Sequence, residues 1–258
     1  MIIDSGMGMS MAKTNNIYIK KARQKRRNKK IFILIIFIMI SIGIFVTKTN
    51  TFKIDDIQCT GDVLVTKDYV LSNLDHIKGE NIFFVTKHSI KEMLKANPYI
   101  KDVEISKELP RKLVVNVHEK KGLYYIYDGS NYNIISSELV LLEKVDSIDD
   151  KILVELKGID ISDKKIGERV SDDSRIEKLL EEFYKEEEVI KNKNEDFTIK
   201  SVDISDLSNI NVYLNDILVR LGRDENIRQK MSNAINTYKS GYVTEYIDAS
   251  SKGTPDFK

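Results

Sequence analysis

Cysteine is almost absent from this 258-residue chain: Cys59 stands alone, so no disulfide can form within it. Stability must come from ordinary packed cores, and Cys59 itself reads as a small apolar residue of a strand. Histidine is scarce as well. His76, His88 and His118 fall on a loop, a helix and a strand without ligand spacing, so no metal site is expected. There is no G-x-S-x-G elbow, no P-loop and no dinucleotide-binding glycine pattern. No motif calls for a reaction, a cofactor or a small-molecule substrate, and the expectation is a protein that is not an enzyme. The acidic cluster Glu181, Glu182, Glu186, Glu187 and Glu188 reads as the solvated face of a helix.

Acidic residues are also missing from the start of the chain. Residues 1–30 hold nine Lys/Arg against Asp4 alone, a net of +8; the whole chain is +1, so residues 31–258 carry −7. A nucleic-acid binder would spread its basic surface over the folded part. Here it is confined to a tail that reads as disordered, and nucleic acid is not expected as a partner.

Charge of either sign is then absent from Ile31–Val46, where only Ser41 and Gly43 interrupt fourteen apolar residues. As a helix this run is about 24 Å long, against ~30 Å of hydrocarbon. Thr47 and the snorkelling side chains of Lys30 and Lys48 cover the difference. Its thirteen Ile, Leu, Phe and Val residues favour insertion by roughly 4–8 kcal/mol. A buried helix of a soluble domain would carry a polar stripe, and a cleaved signal would be followed by a small-x-small site; the next residues are TKTNTFKI. An uncleaved signal anchor over residues 31–47 is the expectation. The basic flank then stays cytoplasmic, and the chain beyond the anchor is exported, as in a single-pass type II membrane protein.

Residues 52–120 show an order of elements. Residues 52–61 read as a strand closed by Gly61, and 65–74 as a short helix with Thr66 as its N-cap. A second short helix begins after Thr86 and stops at Asn97-Pro98, where the residue before proline avoids the α region. Residues 99–120 alternate on both sides of LPRK and read as a hairpin. The order β-α-α-β-β places two helices on one face of a three-stranded sheet. From Gly122 the pattern is strand-rich, with turn signals at Asp128-Gly129 and Asn215-Asp216. Residues 171–190 form an amphipathic helix with Ser174 and Glu177 at capping-box spacing. Residues 224–241 form another, and residues 242–250 a last strand. The expected fold class is α+β: one N-terminal transmembrane helix, a β-α-α-β-β module and a mixed β domain with two helices.

Several motifs carry a resemblance. They are I-x-C-x-G at Ile57, Cys59 and Gly61, G-x-N-I-F at Gly79–Phe83, N-P-Y-I at 97–100, and L-P-x-x-L-x-V-x-V-x-E from Leu109 to Glu119. Together they resemble the POTRA domain of the FtsQ/DivIB bacterial cell-division proteins. V-x-L-G at 219–222 and Y-I-D at 246–248, separated by one helix, resemble the β domain that comes after it there. The expected organisation is a basic tail (1–30), a transmembrane helix (31–47), a POTRA domain (52–120), a β domain (121–252) and a short tail (253–258).

The resemblance implies a non-enzymatic scaffold of the division septum. It would bind the lipid bilayer, the membrane-anchored partners FtsL and FtsB/DivIC, and through them the septal peptidoglycan synthases. In the family the partner docks on the late strands of the β domain. Carried over, the docking edge is Tyr246, Ile247, Asp248, Ala249, Ser250 and Ser251, with Val219 of the neighbouring hairpin. Ser250, Ser251 and Lys252 stand where Gram-negative relatives tend to carry Arg and aromatic side chains. A proline at Ala249 is expected to remove one N–H from this edge and weaken docking. The alternative is a POTRA-type chaperone of polypeptide transport. Such relatives carry several POTRA copies before a membrane barrel, and this sequence shows one copy and no barrel-length series of strands.

Overall fold

The computed structural model describes residues 7–149, 151–192, 197–251 and 253–258. Residues 1–6 of the predicted tail and Lys252 of the predicted docking region lie outside the described residues.

The chain opens on helix α1 (Met7–Lys48). The basic tail expected to lack structure is helical from Met7. No proline breaks residues 7–48, and Ala, Lys, Arg, Gln and Met are strong helix formers. Within α1, Gln24–Lys48 is long and apolar enough to cross a membrane. Its large side chains from Ile31 to Phe45 are exposed. The two hydroxyls in this stretch are satisfied by the helix itself: Ser41 Oγ donates to Phe37 O (2.9 Å) and Thr47 Oγ1 to Gly43 O (2.9 Å).

The chain divides into two compact units. The first joins α1 to Ile77–Val85 and Lys107–Leu113. A helix end leaves carbonyls without intrahelical partners. Here Asn81 Nδ2 donates to the Val46 carbonyl (2.7 Å), while Asn81 Oδ1 accepts from Phe83 N (3.0 Å). The rings of Phe45 and Phe52 lie 6.4 Å apart, and those of Phe52 and Phe83 5.3 Å apart. Backbone bonds fasten the segment after the helix to the loop: Ile54 N to Glu80 O (2.9 Å), Gly79 N to Ile54 O (2.7 Å) and Ile82 N to Phe52 O (2.8 Å).

The next elements keep the expected β-α-α-β-β order. They are β1 (Asp56–Gly61), α2 (Lys67–Leu74), α3 (Lys87–Leu94), β2 (Ile100–Glu108) and β3 (Lys112–Glu119), with sheet order β1-β3-β2. The helices bury Val70, Leu74, Ile90 and Leu94; the hairpin buries Val103, Ile105, Leu113, Val115 and Val117. Gly61 (φ +102°) ends β1 where a Cβ would come within 2.2 Å of the Val117 carbonyl oxygen. Cys59 in β1 is half-buried, and that burial pushes its thiol pKa up.

Thr66 and Thr86 do stand before the two helices, yet neither side chain caps. At Thr66 the hydroxyl is engaged by a carboxylate from the sheet. Glu119 Oε1 takes the N–H of Thr66 (2.6 Å), its hydroxyl (2.7 Å) and the N–H of Val65 (3.0 Å), and Oε2 takes the N–H of Leu64 (3.1 Å). A capping hydroxyl would accept from N–H groups in the first turn of α2; here Thr66 instead donates its own hydroxyl and N–H to a carboxylate.

The remaining elements are β4 (Gly122–Tyr127), β5 (Tyr132–Ser136), β6 (Leu141–Val145), β7 (Val154–Lys157), α4 (Ser174–Asn192) and β8 (Ile199–Asp203). They continue with β9 (Ile210–Leu214), β10 (Ile217–Gly222), α5 (Ile227–Lys239), β11 (Tyr246–Asp248) and β12 (Asp256–Phe257). They make one nine-stranded mixed sheet, β12-β11-β10-β9-β8-β7-β4-β5-β6. Leu179, Leu180 and Phe183 of α4 and Met231 and Ala234 of α5 share a core with Val202, Val212, Val219 and Ile247 of the sheet.

Three expectations change here. The α4 start is capped by Asp173, whose Oδ1 accepts from Arg175 N (2.8 Å), while Glu177 pairs with Arg169 (2.8 Å) instead of closing a box with Ser174. The acidic cluster is not wholly solvated: Glu186 and Glu187 are buried, and Glu186 reaches Arg228 on α5 at 3.3 Å. The segment 253–258, expected as a tail, contributes β12.

Candidate partner-docking edge

The late strands are placed by two local devices. Asn215, in the left-handed region (φ +49°), turns β9 into β10; its Oδ1 accepts from Thr198 N (3.1 Å) and its Nδ2 donates to the Tyr238 hydroxyl (3.0 Å). Helix α5 then carries the chain back over the core, so β11 lies parallel to β10, with Leu218 opposite Tyr246, Val219 opposite Ile247 and Arg220 opposite Asp248. Gly222 (φ +65°) lets Ser250 approach, since a Cβ there would sit 3.0 Å from the Ser250 Cβ.

The predicted docking residues divide into three groups. Val219 is a core residue rather than an edge residue: β10 is paired on both sides, and Val219 is fully buried between β9 and β11. Ile247 and Ala249 also point into the core. The Ala249 N–H donates inward to Arg220 O (2.9 Å), so a proline there would break the β10–β11 pairing and not the outer edge. Tyr246 and Asp248 are half-exposed, and Ser250 and Ser251 are exposed beyond the strand. The strand itself is three residues long rather than the nine expected over 242–250.

The outer side of β11 is not bare. The two residues of β12 pair with it antiparallel, Phe257 opposite Ile247 and Asp256 opposite Asp248. Lys258 N donates to Tyr246 O (3.0 Å), and the Lys258 carbonyl takes the N–H groups of Thr244 (3.0 Å), Glu245 (2.6 Å) and Tyr246 (3.2 Å).

The solvent face of this edge holds a charged pair of neighbours around an aromatic ring. The Arg220 guanidinium stands 4.7 Å from the centre of the Tyr246 ring. The Asp248 carboxyl is held below its ordinary pKa, first by the Ser250 hydroxyl, then by the Ser250 N–H and the charge of Arg220. Sequence reasoning missed Arg220 and β12. Alternation in β10 puts Arg220 on the same face as Leu218, so its face was readable; the ring it covers lies beyond a whole helix. Among the described residues, no group of three or more His, Cys, Asp or Glu is arranged to hold a metal ion.

An apolar helix of membrane-crossing length, a β-α-α-β-β module and a mixed sheet define a class: single-helix proteins with a POTRA module and a following β domain. The model of the FtsQ-type POTRA domain matches residues 52–120, and that of the C-terminal part of cell division protein FtsQ/DivIB matches residues 124–250. The chain is 32% identical over 245 residues to the cell division protein DivIB of Clostridium botulinum (strain Hall), covering 93% of this chain and 94% of that protein. It is 31% identical over 207 residues to DivIB of Clostridium acetobutylicum, covering 79% and 82%. It is 29% identical over 130 residues to DivIB of Bacillus subtilis, covering 49% of each. The chain belongs to the FtsQ/DivIB family of bacterial cell division proteins.

Proposed function

We propose that the chain is a non-enzymatic, single-pass scaffold of the division septum, with its basic end in the cytoplasm and its POTRA and β domains outside. Two features support the topology: α1 carries the one apolar stretch of membrane-crossing length among the described residues, and the Lys/Arg excess lies on its N-terminal flank. The scaffold binds membrane-anchored coiled-coil partners of the FtsL and FtsB/DivIC kind through main-chain pairing on β11. The observation that carries this reading is the occupation of the β11 edge. Its outward N–H and C=O groups are answered by a two-residue strand and Lys258 after it, which a longer partner strand can replace.

The test is a pull-down of the partner by the full chain in nanodiscs. Tyr246→Pro removes the outward N–H that now reaches Lys258 O and is expected to lower recovery. Unchanged recovery, with an unchanged circular dichroism spectrum, would refute docking on this edge.

A further inference from the structure

We infer that the loop around Phe83 and Phe84 and the hairpin tip at Leu109 rest in the outer interfacial layer of a lipid bilayer, as a second membrane contact beside α1. The inference rests on the reading of α1 as the membrane span. Phe84, Leu109 and Phe83 are 66%, 60% and 46% exposed, three large apolar side chains of one compact unit. All three lie on connecting segments of the compact unit that contains α1.

What selects a bilayer as the occupant is continuity with the apolar run. Phe45 belongs to that run, and its ring leads to Phe83 through two ring contacts by way of Phe52. The Asn81 side chain holds Val46 O and Phe83 N at once, so loop and helix exit are tied by a single group. The hairpin tip is tied to the same place. Lys107 Nζ donates to Val85 O (2.6 Å), and Arg111 Nε donates to Lys53 O (3.2 Å) while its guanidinium pairs with Asp55 (2.9 Å). Loops fastened at this level meet the headgroup boundary wherever the helix leaves the hydrocarbon. Aromatic and aliphatic side chains bordered by Lys and Arg are the composition that suits this layer. Lys48 and Lys53 supply the bordering charge, while that of Arg111 is met by Asp55.

The test uses the full chain in nanodiscs of phosphatidylglycerol and phosphatidylcholine. Cys59→Ser removes the native thiol, and an environment-sensitive fluorophore is attached after Phe84→Cys, Leu109→Cys or Phe37→Cys. Lipids brominated near the headgroup end are compared with lipids brominated near the chain end. Expected is stronger quenching by the shallow bromines at 84 and 109, with both probes shielded from aqueous iodide, and stronger quenching by the deep bromines at 37. A quenched probe at 37 with probes at 84 and 109 insensitive to bromine overturns the inference and leaves the span standing; the patch is then open to a protein. An unquenched probe at 37 removes the span and the inference together. Should Phe84→Cys alter the circular dichroism spectrum, Leu109→Cys decides.

Discussion

Deleting residues 254–258 should tighten partner binding. The deletion removes β12 and with it one bond from Lys258 N to Tyr246 O and three N–H groups converging on the Lys258 carbonyl. One carbonyl oxygen offers two lone pairs, so the three donors count as fewer than three full bonds. Exposed main-chain bonds contribute about 0.5–1.5 kcal/mol each, and ordering this short segment offsets part of that. A net of about 1–2 kcal/mol held by the self-pairing is the result, and a partner strand must overcome it. Removing it corresponds to a gain of about 5–30-fold in affinity. Biolayer interferometry with the nanodisc-held chain and a soluble coiled-coil partner reads this directly. An affinity that is unchanged or falls, with α5 and the sheet intact by hydrogen exchange, would refute β12 as a competitor for the edge.

Glu119→Ala strands the N–H and hydroxyl of Thr66, which is fully buried, whereas the donors of Leu64 and Val65 can turn to water. Leaving a buried donor unsatisfied costs about 1–3 kcal/mol, so hydrogen exchange in α2 is expected to quicken by at least about fivefold; unchanged protection would contradict the account. Gly61→Ala forces a Cβ against the Val117 carbonyl at φ +102° and should destabilise the β1 edge, read as a lower urea midpoint; a variant as stable as the parent would show that the turn relaxes. Asp128 accepts from the Asn133 side chain and from the N–H groups of Asn131 and Ser130, which hold its pKa at about 2. Its folded pKa lies below the ordinary carboxylate value, so its contribution to the β4–β5 turn is present above about pH 4 and is lost as the pH falls toward 2. A carboxyl titration by NMR with an ordinary midpoint would contradict this. Phe183→Ala, at a fully buried position of α4, should cost about 3–5 kcal/mol; a loss under about 1 would mean the core refills the gap.

Much of this architecture was legible from local chemistry. Asp128-Gly129 and Asn215-Asp216 marked two hairpins, and the amphipathic pattern over residues 171–190 marked α4, because such signals depend on neighbours within a few residues. What escaped was set by distant partners. Thr66 looks like a cap until Glu119 arrives from β3 and takes its hydroxyl as a donor. Glu186 looks solvated until Arg228 of α5 packs over it. The docking region shows the same division. Tyr246, Ile247 and Asp248 were readable as a strand, but alternation does not say which N–H groups face outward, and so Ala249 and Val219 were placed on an edge they do not border. Asp256–Phe257 is too short for any periodicity and exists as a strand only because β11 is there to pair with it.

The parallel seating of β11 on β10 has a temporal consequence. On the proposed topology, a chain threaded outward through a bilayer delivers β10 first, then α5, and only afterwards the three residues that form the proposed landing strip. That strip is missing from a translocation intermediate, so a nascent or stalled molecule would be invisible to its collaborators. Recruitment would then double as a checkpoint on finished secretion, enforced by strand order alone.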